Sequence, residues 1–192
     1  MSQSACLEDL VTRLDAAVET DDPGAVCAGV KAALEELVSC DASWVPPSCD
    51  VVTESCYARR LLHRDPMGRY TVIAMTWGPG QGTPLHDHAG SWCVECVYRG
   101  KILVTSYDLD QAGSGDAGGW RFHQEGKVEA VVGEAGALIP PFEYHTIRNV
   151  YDETAITIHV YKGEMLTCHV FHPTETEGVF RRETKQLAYA NA

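Results

Sequence analysis

Hydrophobic residues recur at spacings of three and four in the N-terminal part of the chain and alternate with polar residues farther on. The first pattern is typical of amphipathic helices. It predicts one helix over residues 4–20 and a second over about 24–39, with a break at Asp21-Asp22-Pro23-Gly24. Apolar stripes of this kind usually face a core, so we expect both helices to pack and to carry no chemistry.

From about residue 56 the sequence is typical of short strands that turn residues separate every 8–12 positions. We predict strands over 56–63, 69–77, 91–99, 101–107, 119–124, 127–132, 143–150, 154–162 and 167–172. This rhythm indicates an all-β sandwich or barrel. We therefore expect one mainly β domain over residues 1–192, with a helical segment (1–50), a β-barrel (51–175) and a C-terminal tail (176–192) that forms a covering strand or arm.

Composition narrows the class of partner. Lys and Arg number 15 against 27 Asp and Glu, and the net charge of −12 argues against nucleic acid and against an anionic membrane. The N-terminus shows neither the basic nor the apolar region of a signal peptide, so we expect a cytoplasmic protein. We also expect a monomer. The eight cysteines should then be thiols, although a disulfide framework is an alternative.

The candidate chemistry begins with histidines. His86 and His88 are two residues apart, and side chains two apart on a strand leave the same face. Two neutral imidazoles side by side are good transition-metal ligands. His145, after Pro140-Pro141, is the third candidate, and the alternative is that the three are unrelated polar residues. Four further histidines lie outside these motifs, and we expect them not to be ligands: His63, His123, His169 and His172.

The spacing around His86 and His88 resembles the first motif of the cupin superfamily, from Gly80 to Gly100, with one substitution. Cys93 stands where cupins usually carry a glutamate ligand. A thiolate with imidazoles would suit zinc or copper, so Cys93 as a metal ligand is one interpretation. Residues 140–149 resemble the second cupin motif, and this resemblance implies a jelly-roll-like barrel that brings His145 to the other two histidines. Gly100 predicts a hairpin into the next strand.

Two further patterns carry polar groups. Thr157, His159 and Tyr161 alternate with aliphatic residues, which predicts a hydrogen-bonded relay lining a pocket or, alternatively, a solvated outer face. Arg59 and Arg60 are adjacent and point to opposite faces of an early strand. One of them can turn inward as a fork for a carboxylate.

Together these residues resemble the thiol dioxygenases, and most closely the cysteine dioxygenases. The resemblance covers about residues 55–172, and it rests on these motifs: Tyr57-x-Arg59-x-Leu61, Trp77-Gly78-x-Gly80-x-Gly82, His86-Asp87-His88, Cys93, His145, Thr157-x-His159-x-Tyr161 and Thr167-Cys168-His169. It implies one mononuclear non-haem Fe(II) per chain, held by three histidines without a carboxylate. It also implies that Cys93 does not bind iron but can join Tyr161 through a thioether bond.

The resemblance further implies a reaction in which L-cysteine and O2 give cysteine sulfinic acid. Arg59 and Tyr57 would bind the substrate together with Tyr161, and Arg59 would pair with its carboxylate. Counting back from His86 without a gap favours Arg60 in that role, while the local Tyr-x-Arg-x-Leu motif favours Arg59, which we follow.

The catalytic group implied by the resemblance is Tyr161, His159, Thr157 and Cys93, in which His159 and Thr157 orient the phenol of Tyr161. One alternative function is a dioxygenase of 3-mercaptopropionate or another thiol acid, whose relatives tend to carry Gln in place of Arg59. A second alternative is a metal-binding cupin without turnover, although simple binding would need no such relay.

Overall fold

The computed structural model describes residues 3–39, 44–110, 114–115 and 118–190. Helices α1 (Gln3–Ala17) and α2 (Pro23–Ser39) come first, and a short 3-10 helix (Pro47–Asp50) follows. The strands within these ranges are β1 (Ala58–Arg64), β2 (Tyr70–Trp77), β3 (Leu85–His86), β4 (Cys93–Arg99), β5 (Lys101–Leu109), β6 (Trp120–Val131), β7 (Ala135–Leu138), β8 (Tyr144–Arg148), β9 (Ala155–Lys162), β10 (Thr167–Pro173) and β11 (Val179–Gln186).

The strands form two antiparallel sheets. One has the order β1-β2-β9-β4-β7, and the other closes as a ring in the order β10-β11-β6-β5-β8-β3. The sheets face each other as a jelly-roll-like sandwich, and the two helices pack on the outside of the first sheet. The expectation of a mainly β, cupin-type barrel with two N-terminal helices is confirmed.

Strand β9 is buried on both faces of the first sheet. Ile156, Ile158 and Val160 join one buried cluster with residues of α1 and α2, on the outer face of the sheet. The intervening Thr157 and His159 point to the barrel interior and are buried. The alternation seen in the sequence is therefore the alternation of a strand covered on both sides, and the solvated-face alternative is wrong.

Three expectations about strand boundaries are corrected. The two strands expected over 119–124 and 127–132 are one strand, Trp120–Val131, because Glu125 is accommodated as an extra residue opposite Ser106 and Tyr107 without ending the pairing. Strand β3 has only two residues and ends at His86. The turn at Gly100 is present, but β4 pairs with β7 and β9 while β5 pairs with β6 and β8, so the chain changes sheet there and forms no hairpin.

Two strands lack a clear sequence signal. β7 is Ala135-Gly136-Ala137-Leu138, without the β-branched or aromatic residues typical of strands, and it forms by pairing with β4. β11 contains several charged residues, which much of the strand exposes to solvent, and it pairs with β10 and β6. The barrel thus extends past residue 175, and the structure supports a covering strand within the tail.

Candidate metal and substrate site

Three histidines meet inside the barrel. His86 ends β3, His88 follows it, and His145 lies in β8. Because β3 pairs with β8, His86 and His145 lie opposite each other, and their Nε2 atoms are 3.2 Å apart. One ring nitrogen from each of the three lies within 4.8 Å of the others, and all three residues are buried. The structure therefore brings together the three histidines that the sequence indicated as ligands.

The segment after β3 is fixed by Asp87. Its Oδ1 accepts hydrogen bonds from the backbone N–H groups of Ala89 and His169, and its Oδ2 lies 2.7 Å from Nδ1 of His169. His88 therefore lies beyond the strand and reaches the cluster from a fixed loop, and not from a shared strand face as expected. His169 belongs to this anchor and lies outside the cluster, as expected for a non-ligand.

The cluster is uncharged near neutral pH. Burial lowers the pKa of His86 to about 4, and it lowers the pKa values of His88 and His145 well below the usual range, with smaller contributions from the neighbouring imidazoles. Metal ligation requires the neutral imidazole, so these rings are ready to bind without losing a proton. Three converging neutral nitrogens fit a divalent transition metal.

The orientation of His86 is fixed from behind. Its Nδ1 lies 3.1 Å from the carbonyl oxygen of Pro84, to which an Nδ1–H donates. That places the lone pair on Nε2, which faces the other two histidines. Metal-binding histidines are commonly oriented in this way, by an acceptor for the nitrogen that does not bind the metal.

Cys93 lies beside the cluster but does not belong to it. Among the described residues, the group that could hold a metal consists of the three histidines alone. Cys93 is fully buried in β4, directly opposite Tyr161 in β9, and burial raises the pKa of its thiol well above the usual range. Residues directly opposite in an antiparallel pair have Cβ atoms about 5 Å apart, so the thiol adjoins the phenol ring. The geometry favours this neighbour over the zinc or copper thiolate interpretation.

A chain of hydrogen bonds runs along β9 to Tyr161. The indole N–H of Trp77 donates to Oγ1 of Thr157 over 2.9 Å, and Oγ1 lies 2.7 Å from Nε2 of His159. Nδ1 of His159 lies 3.2 Å from the phenol oxygen of Tyr161. Burial lowers the pKa of His159 to about 3, so the ring is neutral and carries one proton.

The indole fixes one end of this chain. An indole can only donate, so Oγ1 of Thr157 accepts from Trp77, and its hydroxyl proton can be directed to Nε2 of His159. In that arrangement the ring proton of His159 lies on Nδ1 and is donated to the oxygen of Tyr161. The phenol O–H remains free to donate toward the cavity, where its contact is the weak acceptor Sδ of Met75 at 3.8 Å.

The two adjacent arginines have different surroundings. Arg60 points away from the histidines, and its guanidinium donates to the carbonyl oxygen of Val51 over 2.6 Å and to Oγ1 of Thr76 over 3.0 Å. Arg59 lines the histidine cavity, where Nη2 donates to the carbonyl oxygen of Met165 over 3.2 Å. Its Nη1 has no hydrogen-bond partner among the described residues, although the group is buried. The geometry thus supports the Arg59 register.

The C-terminal segment closes the cavity over Arg59. The guanidinium carbon lies 5.3 Å from the ring centre of Tyr189, and the backbone N–H of Ala190 donates to the Arg59 carbonyl oxygen over 2.7 Å. Tyr57 stacks on Trp77 with ring centres 4.6 Å apart. The cavity is small, and these residues line it: Tyr57, Arg59, Met75, Thr83, His86, His88, His145, Ile147, His159, Tyr161, Met165, Cys168 and Leu187.

Sequence reasoning missed some residues of the site. Trp77 was noted only as part of a motif, and nothing in its spacing indicated that it donates to Thr157. Leu187 and Tyr189 lie in a segment without periodicity, which gave no signal. Glu95 could have been found, because it is two residues beyond Cys93 on β4 and so points to the same face. It is buried, and burial raises the pKa of its carboxyl to about 8.

Comparison with known proteins shows the family of the chain. The profile of the cysteine dioxygenase type I family matches residues 30–174, which is most of the chain. The chain belongs to the cysteine dioxygenase type I family. It is 26% identical to cysteine dioxygenase type 1 of Rattus norvegicus over 143 residues, covering 74% of this chain and 68% of the rat protein.

Other known proteins match a smaller share of one or both chains. The human family member, cysteine dioxygenase type 1 of Homo sapiens, is 25% identical over 118 residues, covering 60% of this chain and 55% of its own. Among solved structures, a cupin 2 conserved barrel domain protein from Rhodopseudomonas palustris aligns with a TM-score of 0.45 and 18% identity, over 65% of this chain and 74% of that one.

Metal content tests the cluster directly. One equivalent of a divalent transition metal should bind per chain, and His86→Ala, His88→Ala or His145→Ala should each reduce it to a small fraction, because a two-imidazole site has lost a ligand. Elemental analysis after anaerobic loading and desalting measures this. The control is His123→Ala on the exposed part of β6, which should keep the full equivalent. Full occupancy in the cluster variants would place the metal elsewhere.

Proposed function

We propose that this protein is an Fe(II)-dependent thiol dioxygenase that oxidises L-cysteine with O2 to cysteine sulfinic acid. The reaction balances, because both atoms of O2 end on sulfur and the four electrons that O2 accepts come from the thiol. One observation carries the proposal: three neutral histidines without a carboxylate share a small cavity with one inward arginine, Arg59.

The charges of the cavity favour such a substrate. Fe(II) held by His86, His88 and His145 would supply the redox chemistry that couples thiol and O2. The three imidazoles contribute no negative charge, so the site favours an anionic thiolate over a neutral ligand. The small cavity favours a substrate of few atoms over bulky thiols such as tripeptides.

Arg59 supplies the contact for a carboxylate. Its guanidinium is buried and has an unpaired Nη1, and an uncompensated buried charge costs on the order of 2–5 kcal/mol. A carboxylate placed there would relieve that cost through a charge-assisted, fork-shaped contact. Tyr57 adjoins Arg59 in the cavity wall and would limit where the carboxylate lies.

Tyr161 supplies the hydrogen bond at the reacting end. The chain from Trp77 through Thr157 and His159 leaves the phenol O–H as a donor aimed into the cavity. A donor held in place before the reaction costs no reorganisation when charge develops on the reacting oxygen atoms. A cupin that only bound a metal would have no use for this arrangement.

We also propose that Cys93 and Tyr161 form a thioether. The two residues are directly opposite in β4 and β9, and both are buried next to the metal ligands. The bond would join Sγ to a ring carbon adjacent to the phenol carbon, with loss of the thiol and ring hydrogens and transfer of two electrons to O2. It would hold the phenol in its donating orientation.

The proposal extends to the cellular compartment, the domain organisation and the oligomeric state. The seven cysteines that the structure describes are unpaired thiols, which supports a reducing compartment such as the cytoplasm. No helix among the described residues is long and apolar enough to cross a membrane. Residues of α1, α2 and the first sheet share one buried cluster, which supports a single domain. A monomer without nucleic-acid or membrane partners remains our prediction.

Substrate choice tests the role of Arg59. O2 uptake should be faster with L-cysteine than with 3-mercaptopropionate, and kcat/KM for cysteamine should be at least about 30-fold lower, which corresponds to ~2 kcal/mol for the missing carboxylate. Arg59→Ala should lose the preference for cysteine over cysteamine. Arg60→Ala is the matched control, and it should keep the preference while lowering stability through its lost contacts. Loss of the preference in Arg60→Ala alone would refute this register, and equal or faster uptake with 3-mercaptopropionate would favour a thiol-acid dioxygenase instead.

Intact mass tests the thioether. After many turnovers with Fe(II) and cysteine, wild-type protein should show a second species lighter by two hydrogen atoms, and Cys93→Gly should show one species.

Cys93→Gly should slow the reaction without abolishing it, because a free phenol remains. Tyr161→Phe should cost more, because the hydroxyl donor is gone. A digest that recovers only unlinked Cys93 and Tyr161 peptides would leave Cys93 as a packing thiol.

A further inference from the structure

A buried acid lies behind the histidine cluster and has no part in the proposed reaction. Glu95 is in β4 and directly opposite His159 in β9. Its Oε1 lies 3.7 Å from Nδ1 of His145, and its Oε2 lies 3.6 Å from Nδ1 of His159. Glu95 itself is outside the group whose ligand atoms converge, so it faces the back of the His145 ring and not the metal position.

Stability does not explain an acid at this position. Glu95 is 7% exposed, its Oε2 has no hydrogen-bond partner among the described residues, and the structure describes no Lys or Arg in salt-bridge contact with it. It lines a cleft of about 450 Å³ whose wall is aliphatic at Val97, Ile102 and Val104 and polar at residues that include Lys31, Glu35 and Glu134. A buried carboxyl without a full set of partners destabilises a fold.

His145 lacks the orienting contact that His86 has. Nδ1 of His86 faces the Pro84 carbonyl oxygen, whereas Nδ1 of His145 is buried and has no hydrogen-bond partner in the part of the chain that the structure describes. Glu95 is the acceptor next to that nitrogen. Nδ1 of His159 already has the phenol oxygen of Tyr161 at 3.2 Å, so the unfilled contact of the pair is the one at His145. A hydrogen bond requires the carboxyl oxygen to approach by about 0.7 Å, to about 3 Å, which rotation about the terminal torsion of Glu95 can provide.

We propose that Glu95 is a positioning residue for the metal centre: it accepts a hydrogen bond from Nδ1–H of His145, which holds Nε2 of that ring toward the metal. The inference rests on the proposed role of the three histidines as metal ligands. In the usual cupin pattern a carboxylate binds the metal from the position of Cys93. Here a carboxyl group lies two residues farther along the same face, where its oxygen would act on a ligand from behind and not on the metal itself.

The test compares metal affinity with stability of the metal-free protein. Co(II) is titrated anaerobically into metal-free wild type, Glu95→Gln and Glu95→Leu, with its visible absorption as the signal. Orienting contacts of this kind change metal affinity by about 10- to 100-fold, so Glu95→Leu should bind Co(II) that much more weakly with an altered spectrum. Glu95→Gln, whose amide oxygen can still accept, should lose less. The metal-free Glu95→Leu protein should unfold at the same temperature as wild type or higher.

The matched control is Glu35→Gln, which removes a carboxylate from the same cleft without a contact to any of the histidines and should bind Co(II) as wild type does. Wild-type affinity within about threefold for both Glu95 variants would overturn the inference. So would a loss of affinity matched by a loss of stability in the metal-free protein, since that indicates a packing role. If Glu95→Leu does not fold, Glu95→Gln decides. Co(II) binding needs no turnover, so absence of thiol oxidation in wild type would refute the proposed function and leave this result standing.

Discussion

Burial of uncharged imidazoles is the constraint on which the rest of the site depends. His86, His88 and His145 can lie within one another's reach inside a barrel only if none of them is protonated, and burial itself keeps them neutral. The pairing of β3 with β8 supplies the close approach, and the Asp87 anchor supplies the third ring. A site built in this way brings no negative charge to a bound metal.

The polar groups around the cluster follow from that constraint. Among the described residues that line the cavity, Arg59 is the one cationic side chain, and the others are neutral or held neutral by burial. Each polar group is fixed from behind: His86 by a carbonyl, Tyr161 by the chain from Trp77, and Arg59 by Met165 and Tyr189. The cavity is therefore rigid where it meets a small substrate, and it is closed by the last described residues of the chain.

Elements and site residues whose positions depend on periodicity and spacing could be predicted from the sequence. Both helices, the strands around the site, the three histidines and the alternating face of β9 were predicted, because burial imposes a period on each. β7 was not predicted, since it is built mainly from Ala and Gly, and β11 was predicted only as a covering strand or arm, since its exposed, charged sequence has little periodicity. The hairpin at Gly100 was wrong because a turn residue marks a change of direction but does not reveal which strands pair. Glu95 was not predicted because a glutamate is usually exposed, although strand alternation places it on the same face as Cys93.

The central claim is that both oxygen atoms of one O2 molecule are transferred to the substrate sulfur. The direct test is to supply ¹⁸O2 to the Fe(II)-loaded protein with L-cysteine in ordinary water and to measure the mass of the product. The account predicts cysteine sulfinic acid in which both sulfinate oxygens carry the label. A product with one labelled oxygen and one from water, or cystine with O2 reduced to peroxide, would contradict it.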